Sequence, residues 1–379
     1  MYEVELTDPA VIRDPFTAYR HAREAARVVR LKVPGMPMWA LTGHGDARAM
    51  LTDPRFAITS SSFVGIPGVP AGYDEYLRTM SELDGPDHLR LRRLAAPAFT
   101  ARRAQDFRAD VEPVVAKLLA ELPPAPDLLR DFAKPLPMHV ICELVGIPAG
   151  ERPAWVEWGA IVADFDAPRL GGAIPGIVES ARSIVAARPR TGLLADLVAA
   201  EDRLTDTELV TLVWHLVLAG QTPANLIANA VAELWARPDA LAALRADPSL
   251  LPGAVDELMR WCGPQLLTVP RHATEDVDLF GTAVKAGEPV TVAIAAANRD
   301  PRAFPDPDDF DMTRGAATHL GFGHGPHFCL GAAHARVQTE VALSALLARG
   351  LTLAADPVEL RAPDPGTWRL TALPVRLGG

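Results

Sequence analysis

The longest uncharged stretch of the chain is 209–232, and it constrains the fold most. Its apolar residues follow a helical period, and "TDTE" at 205–208 provides a capping box in front of it. The pattern continues to Arg237, so it predicts one long helix of roughly 45–50 Å at 1.5 Å per residue. Its polar positions are His215, Gln221, Asn225 and Asn229. A membrane span has a similar length, but these positions and the acidic flanks favour a fully buried central helix.

Pro223 interrupts this helical pattern, within "LAGQTPANL". A proline has no N–H, so the carbonyl oxygen of Ala219 loses its usual donor and Thr222 is pushed out of helical geometry, at a cost of about 3 kcal/mol. Gly220 weakens the helix further and leaves space beside that carbonyl. Two interpretations stay open: a kink that the fold merely tolerates, or a groove on a buried helix that holds a small ligand and water.

Helical periodicity dominates the rest of the chain, with short alternating stretches at a few places and no internal repeat. Helices are predicted at about 45–51, 101–121, 136–146, 173–187, 205–237, 239–247, 251–262 and 330–349. Strands are predicted at 277–280, 283–285, 289–295 and 369–376, with one more just before the helix at 45. The fold class is therefore mainly α with a small β region, and we expect residues 1–379 to form a single domain.

Charge and cysteine content exclude several kinds of partner. The net charge is −10 with no basic run, which argues against nucleic acid or an anionic membrane. Cys142, Cys262 and Cys329 are too few and too scattered for a disulfide framework, which favours a reducing compartment. Residues 1–16 contain neither a basic run nor an apolar stretch, so we expect no signal peptide or anchor, and a cytoplasmic location.

Cys329 lies in the most informative motif, "HLGFGHGPHFCLGAAHAR" at 319–336. A lone cysteine is usually a small buried hydrophobic residue, but the glycines around it permit tight turns and the close approach of a flat ligand. The apolar period that follows places the thiol at a helix N-terminus, which favours a thiolate. A zinc site needs further ligands at short spacing; His324 and His327 are near, but no second cysteine follows. A single thiolate instead suits haem iron.

Further segments, together with the cysteine loop, resemble the cytochrome P-450 family in family order and over nearly the whole chain. They are "DGPDHLRLRRLAAPAF" (84–99), "PLPMHVICELVGIP" (135–148), "ELMR" (257–260), "TVPRHATEDVDLFGTAVKAGEPV" (268–290) and "ANRDPRAFPDPDDFDMTR" (297–314). The resemblance is to the soluble bacterial type. It implies a cytochrome P-450-type fold with haem between a long central distal helix and the cysteine loop with its helix on the proximal side.

The resemblance also implies roles around heme b (iron protoporphyrin IX). Cys329 is the iron ligand, whose thiolate donates electron density that favours O–O cleavage. Phe322 shields the sulfur, and Gly331 belongs to the same loop. The two haem propionates need cations, for which the matching positions are His88, Arg92, Arg271 and His327. Glu257 and Arg260 are implied to be a buried structural pair that supports the segment carrying the cysteine loop.

The distal helix departs from the family pattern, in which an acid and a threonine follow Ala-Gly as a proton relay. Here Ala219 and Gly220 are followed by Gln221, Thr222 and Pro223. Aligned without a gap, Thr222 replaces the acid and Pro223 replaces the threonine; aligned on the following "NLI", Thr222 is itself the relay hydroxyl. Both alignments remove the acid. We expect these residues to be catalytic, with protons arriving through water held by Ala219, Thr222 or a substrate hydroxyl.

A second departure follows the cysteine, where the family commonly has Leu-Ala-Arg-x-Glu and this chain has His334, Ala335, Arg336 and Gln338. It bears on partner contacts, because that helix lies near the proximal surface in the family. The chain contains no flavin or iron–sulfur motif, so the electron donors are expected to be a ferredoxin and a ferredoxin reductase. A basic patch predicted to dock them consists of Arg90, Arg93, Arg102, Arg103 and Arg336.

Family analogy places the substrate pocket on variable segments at 61–82, 160–178, 215–222, 266–269 and 366–368. The pocket residues predicted there are Phe63, His215, Leu266, Leu267, Val269 and Trp368. Of these segments, 61–82 is expected to be a mobile loop and 163–176 an access lid. Few polar groups on an apolar wall favour a fairly large, apolar small-molecule substrate.

The predicted function is that of a monooxygenase, which inserts one atom of dioxygen into an apolar small molecule, as a hydroxyl or an epoxide, in secondary metabolism. Haem performs the oxygen chemistry while the protein orients the substrate. Two alternatives stay open. One is a haem-thiolate enzyme for oxidative coupling, desaturation or peroxide-driven oxidation. The other is a catalytically silent haem protein that binds ligands or recruits a partner enzyme.

Overall fold

The computed structural model of the chain describes residues 1–33, 35–62, 65–164, 166–188, 192–199, 204–314 and 318–378. These residues divide into two compact units. The first unit comprises Met1–Phe63, Asn229–Cys329 and Asp356–Thr371, and the second comprises Val64–Ala228, Leu330–Ala355 and Ala372–Gly379.

Most of the described chain is helical, which confirms the predicted fold class. The helices are α1 Pro9–Arg13, α2 Pro15–Ala25, α3 His44–Thr52, α4 Gly85–Ala95, α5 Ala101–Asp106, α6 Arg108–Ala120, α7 Pro135–Val145, α8 Arg152–Ala163, α9 Ala167–Ala186, α10 Gly192–Ala199, α11 Asp206–Ala219, α12 Pro223–Trp235, α13 Pro238–Ala246, α14 Leu251–Cys262, α15 Ile294–Ala297 and α16 Ala332–Leu347. No helix among the described residues is long and apolar enough to cross a membrane.

The strands are short, and most of them belong to the first unit. They are β1 Glu3–Glu5, β2 Val28–Lys32, β3 Met38–Leu41, β4 Phe56–Ala57, β5 Arg271–Ala273, β6 Val277–Leu279, β7 Thr282–Val284, β8 Pro289–Val292, β9 Leu351–Leu353 and β10 Val375–Leu377. Six of them form one mixed sheet in the order β1-β2-β3-β8-β5-β4, while β6–β7 and β9–β10 are antiparallel pairs.

The core of the first unit forms around the central strands of this sheet. Trp39 lies opposite Val290 in the parallel pair β3–β8, and Val290 also lies opposite Arg271 in the antiparallel pair β5–β8. Leu41 and Phe56, from β3 and β4, are buried in the same cluster. A strand that is buried on both faces usually consists of apolar residues. Because β5 carries the charged Arg271, its place in the sheet is set by the neighbouring strands.

The second unit is a packed set of helices, α4 to α11 with α16, plus the pair β9–β10. Its core includes Cys142 of α7, Trp155 of α8, Ile177 of α9 and Val213 of α11, all nearly inaccessible to solvent. The predicted capping box at the start of α11 is present: Thr205 N–H donates to Glu208 Oε2 at 2.9 Å, and Glu208 N–H donates to Thr205 Oγ1 at 3.1 Å. Helix α11 is buried as predicted.

Two predicted helices are divided in the structure. The helix predicted at 205–237 ends at Ala219 and restarts as α12 at Pro223, because proline fits the first turn of a helix but not its interior. The helix predicted at 101–121 is two helices, α5 and α6, which are separated at Phe107. The prediction of one helix of roughly 45–50 Å is therefore wrong.

Two strand predictions were too long, and one predicted lid is regular structure. The strand predicted at 289–295 stops at Val292, which is the last residue that pairs with β3. The alanine-rich residues after it form α15. The strand predicted at 369–376 is reduced to β10. Within the segment predicted to be a lid, residues from Ala167 onward belong to helix α9, which Asp166 caps by accepting from Arg169 N–H. The sequence analysis missed strands β1, β2, β4, β5 and β9.

Candidate active site

The cysteine loop, residues 319–331 in the first unit, is closed by main-chain hydrogen bonds. Cys329 N–H donates to the carbonyl oxygen of Phe322 at 2.8 Å, and Phe328 N–H donates to that of Gly325 at 3.0 Å. Gly323 N–H donates to the carbonyl oxygen of Leu320 at 2.8 Å. These backbone bonds set the course of the chain through the loop.

The glycines of the cysteine loop are required by geometry at two kinds of position. Gly323 and Gly325 have φ angles of +74° and +73°, which other L-residues rarely adopt. A Cβ on Gly325 would also lie 2.9 Å from the carbonyl oxygen of Leu51. Gly321 instead permits close packing, since a Cβ there would lie 2.6 Å from Cγ of Met259 on α14. The loop is thereby held against the rest of the first unit.

The thiol of Cys329 differs from the other two thiols in its accessibility. Cys329 is exposed, three residues before α16 begins, whereas Cys142 and Cys262 are buried. Burial raises the pKa of the Cys142 thiol to about 12, and the Cys262 thiol donates to the carbonyl oxygen of Leu258 at 3.2 Å. Cys329 is thus the thiol that can reach a ligand. No group of three or more His, Cys, Asp or Glu residues suited to a metal ion occurs in the described part of the chain. One accessible thiolate donor fits haem iron, which needs a single cysteine ligand from a protein of this kind.

Of the four side chains predicted to bind the haem propionates, two lie in each unit. In the first unit, Arg271 is buried on β5 and donates from Nη1 to the carbonyl oxygen of Leu51 at 2.8 Å, while His327 is half-buried in the cysteine loop. In the second unit, His88 is buried and Arg92 is half-buried, one helical turn apart on α4. The spacing that predicted a shared helix face for His88 and Arg92 is therefore present.

Glu257 and Arg260 form a buried ion pair on α14. Arg260 donates from Nε and Nη2 to the two Glu257 carboxylate oxygens, each at 2.7 Å. Its Nη1 donates to the carbonyl oxygens of Asn298 and Pro307 at 2.9 and 2.8 Å, and Glu257 Oε1 accepts from Asp311 N–H at 2.9 Å. A buried ion pair tolerates burial only when such bonds satisfy it. It ties α14 to the segment 298–311 that leads to the cysteine loop.

The break between α11 and α12 is closed by Thr222. Its N–H lies 3.3 Å and its Oγ1 lies 3.1 Å from the carbonyl oxygen of Ala219, the group that Pro223 deprives of its helical donor. Both donors point to that carbonyl, so the prediction that its oxygen is left free for water is wrong. Ala219 and Thr222 are both exposed.

Gly220 and Gln221 face the protein interior at this break. A Cβ on Gly220 would lie 2.5 Å from Cγ1 and 2.8 Å from Cβ of Ile141 on α7, so the predicted space beside Gly220 is filled. The Gln221 side chain is buried. The glycine therefore allows α7 and α11 to approach closely, which the sequence pattern alone does not reveal.

His215 lies one turn before Ala219 on α11. Its Nε2 is 3.0 Å from Oγ of Ser81, in the short 3-10 turn Met80–Glu82. Its Nδ1 is buried and has no hydrogen-bond partner among the described residues. Burial lowers the pKa of His215 to about 4, so the imidazole is neutral at pH 7. The sequence analysis missed Ser81, for which no motif exists; its contact with α11 arises only in the tertiary structure.

The other predicted pocket residues differ in exposure. In the first unit, Leu266 is only 1 % exposed, Leu267 is half-buried and Val269 is 43 % exposed. Trp368 is buried, with Arg361 stacked 4.0 Å from the centre of its ring. Phe63 lies outside the described residues. Val269 and Leu267 therefore keep surface with which to touch a ligand, whereas Leu266 and Trp368 are mostly covered by their own unit.

His334 and Gln338, the residues that depart from the family pattern after the cysteine, lie on one face of α16. Both ring nitrogens of His334 and Oε1 of Gln338 are buried without a hydrogen-bond partner among the described residues. The ring packs edge-on against Phe99, with centroids 5.4 Å apart. Burial lowers the pKa of His334 to about 4. This face is internal to the second unit, so these two side chains do not present a docking surface.

Several arginines of the predicted basic patch are paired with acids. Arg90 forms an ion pair with Glu208, Arg103 lies 3.3 Å from Asp196, and Arg102 lies 3.9 Å from Asp106. These acids lie far apart from the arginines in sequence in two of the three cases, so the sequence alone overestimates the positive charge of this surface.

Comparisons with known proteins agree with the family resemblance. The sequence model of the family described as "Cytochrome P450" matches residues 172–359. The chain is 39 % identical to the cytochrome P450 monooxygenase PikC of Streptomyces venezuelae over 385 residues, which cover 96 % of this chain and 91 % of that protein. It is 38 % identical to the mycinamicin IV hydroxylase/epoxidase of Micromonospora griseorubida, over 90 % of each chain.

The same likeness holds for solved structures. The P450 monooxygenase TamI with bound tirandamycin C has a TM-score of 0.88 and 35 % sequence identity, and the match covers all of both chains. These identities over nearly the full length confirm the resemblance that the motifs carried, and membership of this family implies a cysteine-ligated haem. The chain belongs to the cytochrome P450 family and is a monooxygenase, an oxidoreductase that incorporates oxygen.

Proposed function

We propose that residues 1–379 act as one haem-thiolate domain in which Cys329 ligates the iron of heme b. The observation that carries this proposal is the contrast among the three thiols: Cys329 is exposed in a loop closed by its backbone, whereas Cys142 and Cys262 are buried. A helix begins three residues later, and its unpaired N–H groups favour a nearby thiolate. Phe322, buried beneath the loop, shields the sulfur from water, and Gly331 lets the chain pass from the sulfur into α16.

The propionate groups of the haem would be held by His88, Arg92, Arg271 and His327. Arg271 supports this assignment because its guanidinium is buried and one of its nitrogens is oriented by the Leu51 carbonyl oxygen. A guanidinium fixed in this way binds a carboxylate by charge-assisted hydrogen bonds. When bound, the haem supplies the activation of dioxygen, with one atom entering the substrate as a hydroxyl or an epoxide and the other leaving as water.

The protein's part in proton delivery falls to Thr222 and Ala219. The Thr222 hydroxyl donates to the Ala219 carbonyl oxygen at 3.1 Å, so Oγ1 keeps lone pairs that accept from a water molecule or a substrate hydroxyl. Thr222 is exposed and can meet such a partner, while the Ala219 carbonyl oxygen holds its hydroxyl in place. Gln221 is buried and, with Gly220, supports the turn rather than contacting the reacting atoms.

The substrate is proposed to be a small organic molecule of secondary metabolism. Relatives named for this kind of chemistry support it, among them the mycinamicin IV hydroxylase/epoxidase and the tirandamycin C-bound TamI. In this chain His215, Leu267 and Val269 are the predicted pocket residues that keep accessible surface. In the first unit, Leu267 and Val269 would offer apolar surface to the substrate, and in the second unit His215 would offer one neutral imidazole.

The electrons are proposed to come from a ferredoxin and a ferredoxin reductase in the cytoplasm. The three cysteines of the chain are one fewer than a four-cysteine iron–sulfur cluster needs. Of the remaining members of the predicted basic patch, Arg93 is exposed and Arg336 is half-buried on α16. If docking is electrostatic, raising the salt concentration slows electron transfer.

The test is the substitution Cys329→Ser, with Cys142→Ala as a matched thiol control. We expect the native protein and the control to bind haem and to give the red-shifted absorption of a thiolate-ligated, reduced carbon monoxide complex, and Cys329→Ser to lose it. Oxygenated product should require reductant, dioxygen and substrate. A shifted absorption that survives Cys329→Ser would overturn the ligand assignment. Turnover with peroxide alone and none with reductant would overturn the dioxygen route.

A further inference from the structure

The segment 76–82 is attached to α11 along one side. The carbonyl oxygen of Tyr76 accepts from Trp214 Nε1 at 3.2 Å and from Thr211 Oγ1 at 3.4 Å. One turn further along α11, His215 Nε2 lies 3.0 Å from Ser81 Oγ. The segment therefore runs beside α11 for at least one helical turn, and Ser81 sits at its far end.

Ser81 is held in a rigid turn. Thr79 and Glu82 form a capping box around it, in which Thr79 N–H donates to Glu82 Oε2 at 3.0 Å. At the other end of the segment, the Tyr76 hydroxyl accepts from Nη2 of Arg182 on α9 at 2.5 Å. Both ends are fixed, so the position of Ser81 is set before any ligand arrives, which reduces the entropy lost on binding.

The protonation of His215 decides what Ser81 can do. The ring is neutral at pH 7, so one nitrogen carries a proton and the other does not. Nδ1 is buried without a partner, and an orphaned buried N–H is rarer than an orphaned acceptor. The proton therefore belongs on Nε2, which donates it to Ser81 Oγ.

The Ser81 hydroxyl then has its own hydrogen to give. Ser81 is half-buried, and its contact with His215 is its side-chain hydrogen bond among the described residues. A hydroxyl that accepts from an imidazole N–H keeps one donor. The group that it meets must be an acceptor, and between Leu209 and Ala219 helix α11 carries no charged side chain.

His215 also shares a helix face with Ala219, four residues further along α11, and Thr222 follows in the break after α11. A group bound at Ser81 would lie roughly 6 Å along the helix axis from Ala219, at 1.5 Å per residue. A polar group at that place fixes which carbon of a substrate lies beside Ala219 and Thr222.

We propose that Ser81, oriented by His215, donates a hydrogen bond to a neutral acceptor oxygen of the substrate, a carbonyl or a hydroxyl. This deepens the proposed function and rests on it in one respect, the placement of His215 in the substrate site. It makes Ser81 a specificity-determining residue and His215 its positioning residue. Long-chain carboxylates are disfavoured at this position because α11 offers no cation to them.

The test compares binding of cyclododecanone, cyclododecane and dodecanoate to the haem-loaded protein, by the absorption change and by calorimetry. We expect the ketone to bind about fivefold more tightly than the hydrocarbon, the effect of one neutral hydrogen bond. Ser81→Ala and His215→Phe should remove that preference, whereas Ser81→Thr, which keeps the hydroxyl, should retain it. The control Ser183→Ala, at an exposed serine on α9, should leave the preference unchanged.

The proposal is overturned if the ketone shows no preference over the hydrocarbon, including the case in which neither binds, or if Ser81→Ala keeps the preference. If dodecanoate bound more tightly than the ketone, the claim that Ser81 binds an uncharged oxygen of the substrate would be overturned. The carbon monoxide spectrum separates this failure from a failure of the proposed function. If the native protein gives the thiolate-type spectrum but does not prefer the ketone, only the Ser81 assignment is refuted. If the native protein does not give the thiolate-type spectrum, the haem assignment is refuted.

Discussion

The cysteine loop and the α11–α12 break, residues 220–222, are both glycine-containing turns next to a helix, but they are closed in different ways. Main-chain hydrogen bonds close the cysteine loop, among them the bond from Cys329 N–H to the carbonyl oxygen of Phe322. At the break, the side chain of Thr222 helps to satisfy the Ala219 carbonyl oxygen. When main-chain hydrogen bonds hold a turn, the choice of side chain is not limited by the need to stabilise it. When a side chain helps to hold the turn, that residue must combine this structural role with any role in function.

The largest effect should come from removing the support of the cysteine loop. Arg260→Ala leaves the buried Glu257 carboxylate with the longer, 3.4 Å ion pair to Arg314 and deprives the carbonyl oxygens of Asn298 and Pro307 of a donor. We expect a loss of about 3–5 kcal/mol in the free energy of unfolding, measured by chemical denaturation, together with loss of haem. Arg245→Ala, an exposed arginine on α13, is the control. A loss below about 1 kcal/mol would show that the network does not support the loop.

The second effect tests whether backbone conformation closes the cysteine loop. Gly325→Ala forces a Cβ onto a φ of +73° and to 2.9 Å from the Leu51 carbonyl oxygen, so we expect a loss of about 2 kcal/mol or more. The control is Gly45→Ala on α3, where a Cβ meets nothing within 4 Å and a small gain in helix stability is expected. Equal unfolding midpoints for the two variants would contradict the comparison.

The third effect concerns packing at the break. Gly220→Ala puts a Cβ against Ile141, and overpacking of this kind costs about 1–3 kcal/mol. Ile141→Ala removes the atoms in closest contact, so the double variant should be more stable than the sum of the two single losses predicts. A double-mutant cycle from thermal or chemical unfolding measures this coupling. Strict additivity would mean that the two residues do not meet in solution.

The smallest effect on stability, and the one closest to chemistry, is expected for Thr222→Val. It removes one exposed hydroxyl hydrogen bond, worth about 1 kcal/mol or less. Product formed per reductant consumed should fall and peroxide release should rise, because the proposed relay hydroxyl is lost, while Thr222→Ser should behave like the native protein. Unchanged coupling in Thr222→Val would remove Thr222 from the proton route and leave the break with a structural role only.

The sequence was a good guide wherever the signal was local. The capping box at 205–208, helices such as α14 and the helix on which His88 and Arg92 are spaced one turn apart all follow from neighbouring residues. The i,i+3 spacing of Glu257 and Arg260 was likewise visible. What they bind was not, because their partners at 298–311 come from a distant part of the chain.

Other features could not be predicted because two distant segments make them together. The sequence predicted that Ala219 or Thr222 holds a water molecule, but not that the Thr222 hydroxyl donates to the Ala219 carbonyl oxygen. Gly220 was expected to border open space, but Ile141 fills that space. Arg90 was assigned to a basic patch, but it forms an ion pair with Glu208. Ser81 belongs to no sequence motif, and its contact with His215 arises only in the tertiary structure.

By itself the sequence determined the family, the predominance of helix and the cysteine that can ligate iron, because periodicity, capping and a fixed motif are properties of contiguous residues. Tertiary structure alone decided which carbonyl is occupied, which arginine is neutralised and which serine faces α11. Those outcomes depend on hydrogen bonds and packing contacts between segments far apart in the chain, whose energies exist only once the segments have come together.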